Sequence, residues 1–277
     1  GDVEGSAVFF FMRPRPPRST LFPYTTLFRS AALGARAAAV FIQIGGWQGA
    51  FIGFGALAAI TWILAWKWYP KTRSSSGDSI SLIGRYKQVA SKPTLWFLFS
   101  TNVSQRMVFT AVLSYLADYL TEEYGMSIED TVLPLVLVGL GAVAGAFIGG
   151  AVSGRPHRLR ATMFCFLVGG IASVILFSTG ISEWLVIILA FGVACFFSVC
   201  WPILTTRLTE LAETSTATAL GFWATSNQLG AIGGSAIGGL ALALGGFSMV
   251  GVACLIAAVL ATTILVLKVP ESQEFTE

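Results

Sequence analysis

Residues 140–150 read LGAVAGAFIGG and residues 229–239 read LGAIGGSAIGG. The two stretches share seven of eleven residues at an offset of 89. In each, a glycine recurs every fourth position: Gly141, Gly145 and Gly149 in the first, Gly230, Gly234 and Gly238 in the second. At 3.6 residues per turn this spacing lays the glycines along one helix face, where a neighbouring backbone can come close. Glycine-rich helices also resemble one another by composition alone, so the position of the copies in the chain has to give the repeat its meaning.

That position is set by hydropathy. Hydrophobic residues make up 55% of the chain and charged residues only 11%, against roughly a quarter charged in soluble domains. Apolar runs of about 20 residues, enough to cross the hydrocarbon as a helix, are predicted at 47–66, 94–117, 131–152, 161–180, 184–205, 217–241 and 247–267, with a shorter run at 31–45. The expected fold is an all-α membrane protein, a helical bundle of seven full spans and a partial one. Lipid is the expected surrounding, and no nucleic-acid partner is expected. The two glycine stretches lie three spans apart and so cross the membrane in opposite directions. A 3+3 inverted repeat in the last six spans follows, an arrangement on which secondary transporters are built.

Lys and Arg fall on alternate connections. Lys67, Lys71, Arg73, Arg85, Lys87, Lys92, Arg155, Arg158, Arg160, Arg207 and Lys268 belong to one side, while the connections at 45–46, 122–130, 180–183 and 245–246 hold none. By the positive-inside rule the 66–92 segment and the C-terminus are expected in the cytoplasm of a multi-pass cell-membrane protein. Trp62, Trp66, Trp68, Tyr69, Trp96 and Trp184 stand at span ends, as interfacial aromatics do. Cys165, Cys195, Cys200 and Cys254 lie within spans, with neither zinc nor disulfide spacing, and read as small buried apolar residues.

The N-terminus is of another kind. Residues 13–30, RPRPPRSTLFPYTTLFRS, carry four arginines and no acid. A targeting segment and a lipid-binding cytoplasmic arm both fit that composition. Residues 20–30 are also similar, residue for residue, to the reading-frame translation of a widely used short-read sequencing adapter. On that reading residues 1–30 are non-native, disordered or without meaning for the fold. The chain is then expected to be a C-terminal fragment cut inside a helix, inactive by itself for want of its N-terminal half.

Two local patterns now carry a resemblance. GGWQGAF (45–51) is similar to a Gly-Trp-Arg-x-x-Phe motif, with Gln48 in place of Arg. GGAVSGRPHRLRA (149–161) is similar to the loop signature Gly-x-x-x-Asp-Arg-x-Gly-Arg-Arg through Gly150, Arg155 and Arg158, with Gly154 at the Asp and His157 at the second Gly. Both motifs belong to the major facilitator superfamily, which the chain resembles over residues 31–270. The resemblance implies that 31–68 is the remnant of an N-terminal bundle (part of a fifth helix and the sixth). Residues 69–92 would be the central cytoplasmic loop, 93–268 a six-helix bundle and 269–277 a cytoplasmic tail. Because Gly154 replaces the Asp, the carboxylate that would pair across the domain interface is expected to be missing.

Polar residues inside hydrocarbon are functional candidates. Arg106 lies about twelve residues into its span, roughly 18 Å deep at 1.5 Å per residue. Asn102, Gln105, Arg106 and Phe109 are expected on one face, as a substrate contact or anion site, with a structural arginine as the alternative. Trp223, Asn227 and Gln228 in FWATSNQLG, and Trp201 beside Pro202, are the other cavity candidates. Interhelical hydrogen bonding is an equal reading for the amides. No cofactor or metal is expected. No acidic residue lies deep in a span, so an ion- or proton-coupling carboxylate is expected in the missing half. The leading functional expectation is a secondary active transporter of a small molecule, of the efflux type by general similarity. An integral-membrane enzyme or a non-transporting scaffold is the alternative. His157 is the only histidine and the acidic residues cluster in a short outer loop, which leaves an enzyme little to work with.

Overall fold

The computed structural model describes residues 22–68, 82–127, 130–178 and 180–269. Expectations for residues 1–21, for 69–81 of the central loop and for the tail from 270 lie outside the described residues. The helices in chain order are α1 (Phe22–Trp68), α2 (Leu82–Ala90), α3 (Pro93–Tyr124), α4 (Val132–Val152), α5 (Arg158–Leu176), α6 (Glu183–Ala212) and α7 (Thr216–Lys268), with a 3-10 turn at Glu213–Ser215. Among the described residues no strand occurs. Two units result, one ending at Ser74 and holding α1, the other starting at Ser75 and holding α2 to α7. Helix begins at Phe22, so residues 22–30, set apart above on their likeness to an adapter, carry helical backbone.

At 1.5 Å per residue the 53 residues of α7 would extend about 80 Å, more than twice the hydrocarbon thickness. The helix is two arms joined by a turn: Gly245 (φ −163°, ψ 25°) and Gly246 (φ 71°, ψ −165°) leave helical geometry. The positive φ at Gly246 strains any residue with a Cβ. α1 breaks in the same way at Gly45 (φ −140°, ψ 23°) and Gly46 (φ 62°, ψ −161°). The spans predicted on either side of each Gly-Gly pair are therefore separate lengths of helix, tied by the shortest of connections. The sequences at the two breaks also run in step, Gly45-Gly46-Trp47 against Gly245-Gly246-Phe247.

Among the described residues, five helices are long and apolar enough to cross a membrane: the second arm of α1, α4, α5, α6 and α7. α3 has the length, at 32 residues, but it carries Asn102, Gln105, Arg106, Asp118, Glu122 and Glu123, which lower its apolarity. Its ends are well defined. Pro93 opens the first turn, where no N–H is needed, and Gly125 closes the last in the left-handed conformation (φ 66°).

The glycine stripes decide how the second unit packs. On α4, Gly141, Gly145 and Gly149 lie against the carbonyls of Phe191, Cys195 and Val199 of α6, so close that a Cβ on any of the three would collide. On the first arm of α7, Gly230 and Gly234 lie in the same way against the carbonyls of Val103 and Met107 of α3, and Gly238 against the ring of Tyr115. Residue numbers rise together in both contacts, so both are parallel pairs. The glycine helix of each three-helix unit thus packs on the first helix of the other. α5 and the second arm of α7 close the arrangement, with Gly251 on the Ser173 carbonyl and Gly170 on Ala258. The far side of α4 leaves Leu133, Val136, Leu140, Phe147 and Ile148 exposed, as a lipid-facing surface would.

Gly145→Ala and Gly234→Ala should each force two backbones apart and destabilise the protein by about 1–3 kcal/mol. Gly139→Ala, where nothing stands within 4 Å of the new Cβ, should be neutral or stabilise by up to about 1 kcal/mol through helix propensity. Equilibrium unfolding in mixed micelles measures all three.

Candidate functional site

The polar residues of α3 divide between two neighbours. Successive helix positions turn by about 100°, so Asn102, Gln105 and Arg106 span an arc of roughly 100° and not a single line. Asn102 faces α7, where its Nδ2 donates to Ser226 Oγ (2.7 Å) and Asn227 Oδ1 (3.2 Å). Ser226 passes the bond on to the Trp223 carbonyl at 2.7 Å. Gln105 faces α6, and its Nε2 donates to the Phe197 carbonyl at 2.8 Å. Both amides are buried, Asn102 at 0% and Gln105 at 1% exposure. Within that arc Asn102 and Gln105 fasten α3 to α7 and α6, and Asn227 accepts one of those bonds.

Arg106 is different. Its Cβ rests where Gly230 of α7 has no side chain. Its guanidinium carbon lies 5.1 Å from the centroid of the Phe109 ring, a cation–π contact. Nε is enclosed and has no hydrogen-bond partner, and among the described residues no carboxylate pairs with the group. A cation at mid-helix costs about 2.5–3.5 kcal/mol on insertion scales, and a cation–π contact returns roughly 0.5–2 kcal/mol. The balance is unfavourable within the bundle.

The remaining candidates scatter. Trp223 is buried and its Nε1 meets no acceptor. Trp201 is half-buried on α6 next to Pro202, which offers no N–H to the Ser198 carbonyl. Gln228 is exposed on α7. Residues that the sequence reading passed over complete the α3–α7 seam: Tyr115 Oη donates to the Ser235 carbonyl (2.6 Å), and the Ser114 and Ser235 hydroxyls stand 3.3 Å apart. Serines are common in apolar helices, so only the register of the pair singles these out.

One arginine of the loop signature meets a carboxylate from another helix. Arg158, only 7% exposed, bonds Glu210 of α6 and donates from Nη1 to the Ser153 carbonyl at 2.8 Å. Arg207 Nη1 reaches the same Glu210 oxygen at 3.2 Å. Arg158 thus finds a carboxylate within its own unit, Glu210 from another helix, while position 154 of the loop signature carries Gly. The signal lay in the sequence as Arg207 and Glu210 three residues apart on α6. Arg155 is exposed, and the Gly150 carbonyl accepts from Ser153 Oγ at 2.8 Å.

A double-mutant cycle on Asn102→Ala and Ser226→Ala should give a coupling of about 0.6–2 kcal/mol in unfolding free energy. Glu210→Ala leaves two enclosed guanidinium groups without their shared anion and should destabilise by about 1–3 kcal/mol, read in the same unfolding assay.

Neither a curated protein nor a solved structure matches the chain. The sequence profile of the Major Facilitator Superfamily matches residues 24–232, three quarters of its length. With an all-helical bundle, membrane-length apolar helices and glycine stripes locking two three-helix units together, the chain belongs to the major facilitator superfamily, a family of membrane transporters.

Proposed function

We propose that the chain is a secondary active transporter that exports a small molecule by alternating access, driven by an ion or proton gradient. The observation that carries this reading is the reciprocal packing of α4 on α6 and of α7 on α3. Two inverted units held by backbone contacts form a body that can rock about a mid-membrane site, and the polar arc of α3 lies at that depth. Export as the direction rests on the general similarity to multidrug-type facilitators. The Lys and Arg asymmetry supports a cell-membrane protein with its central loop and C-terminus in the cytoplasm.

In this reading Asn102, Gln105, Asn227 and Trp223 hold the wall of the pathway together. Arg106 with Phe109, Trp201 and Gln228 are the members that meet substrate. Energised everted vesicles containing the protein should accumulate at least one compound from a panel of fluorescent small molecules, and Arg106→Ala should slow that uptake by about tenfold or more, a barrier change of about 1.4 kcal/mol. Unchanged uptake in the variant would take Arg106 out of the pathway. No energised uptake of any compound, with the expected N-terminal half supplied in the same vesicles, would overturn the transport reading.

A further inference from the structure

Of the five buried side-chain polar atoms without a hydrogen-bond partner among the described residues, three lie on one arc of α3. Asn102 Oδ1, Gln105 Oε1 and Arg106 Nε all lie within five consecutive residues, are enclosed, and have no hydrogen-bond partner. The amides use their N–H groups on neighbouring helices, so their oxygens are left over. Polar capacity buried in an apolar surrounding is normally filled, by protein, by water or by a ligand. The two amide oxygens can only accept and call for a donor such as water, while Arg106 Nε is the one donor of the three and calls for an acceptor.

The sign of that acceptor follows from the charges. Arg106 is the only Asp, Glu, Lys, Arg or His of α3 between Lys92 and Asp118. Asp118 lies twelve residues further on, about 18 Å along the helix. The neighbouring stretches of α6 and α7, residues 184–206 and 217–267, contain no Asp, Glu, Lys or Arg. Glu210, the nearest acid in sequence to the inner part of α6, is held by Arg158 and Arg207. Among the described residues the guanidinium is thus a positive charge without a paired carboxylate, set against the flat face of Phe109. A planar guanidinium presents a fork of N–H donors that fits carboxylate, sulfonate or phosphate oxygens. The Phe109 ring beside it suits a non-polar body.

We infer that the α3–α7 seam at Arg106 receives the anionic head group of a small organic acid, whose apolar part lies along Phe109. The inference rests on the transport reading for its biological use, while its test is a binding measurement that does not depend on transport. Purified protein is melted in detergent with benzoate, benzenesulfonate or phenyl phosphate, and separately with the neutral benzamide and the cationic benzylamine. At least one of the three anions should raise the melting temperature saturably, and neither benzamide nor benzylamine should do so. Arg106→Gln should weaken that anion's apparent affinity by about tenfold or more, Arg106→Lys should retain part of it, and Phe109→Leu should weaken benzoate more than phosphate alone.

The ligand-free melting temperature of Arg106→Gln should match or exceed that of the parent protein, because a cation without a partner is being removed. A marked fall, with no anion binding to the parent, would assign Arg106 to an internal ion pair and overturn the inference. Equal stabilisation by benzamide and benzoate, or anion binding unchanged in Arg106→Gln, would overturn it as well. Energised uptake of neutral compounds with no anion binding would sink the anionic class and leave the transport reading standing.

Discussion

The contact on which the second unit depends is a backbone carbonyl resting on the Cα of a glycine. It occurs three times between α4 and α6 and twice between α7 and α3. In lipid there is no hydrophobic drive to press helices together, because the tails are as apolar as the side chains. Association then depends on close van der Waals approach, and a side chain larger than hydrogen at Gly145 or Gly234 removes it. The rest of the architecture follows from these lines of contact. Because the glycines sit on the second helix of each three-helix unit and meet the first helix of the other, neither unit is packed without its counterpart.

The polar chemistry is fitted onto that frame. Close approach of α7 brings Asn102 within reach of Ser226 and Asn227, and the α3–α6 contact brings Gln105 to a carbonyl. The same approach clears room for the Arg106 stem over Gly230. One glycine stripe thus serves both stability and site. The cost is a guanidinium that meets no carboxylate among the described residues, the kind of local inconsistency that functional sites carry.

Much of this was legible before any coordinates. Long apolar runs and Gly-Gly pairs placed the helices and their breaks, and polar residues in α3 stood out against their surroundings. What was not legible was which polar residue meets which. Asn102, Gln105 and Arg106 are close in sequence, yet they address α7, α6 and the seam, because an arc of roughly 100° covers more than one neighbour. The Arg158–Glu210 pair was overlooked for a related reason: its two members lie 52 residues apart, and only the fold brings α5 and α6 together there.

By itself the amino-acid sequence determined the membrane-spanning helical class and the two copies of the glycine stripe, since each depends on composition and on a fixed rise and twist per residue. Only the tertiary structure decided that each stripe packs on the other unit's first helix, that two of the three polar residues of α3 are spent on helix joining, and that Arg106 is not. Those outcomes depend on register between helices far apart in the chain, and register is settled by which backbones can approach, a property of pairs of helices and not of either one alone.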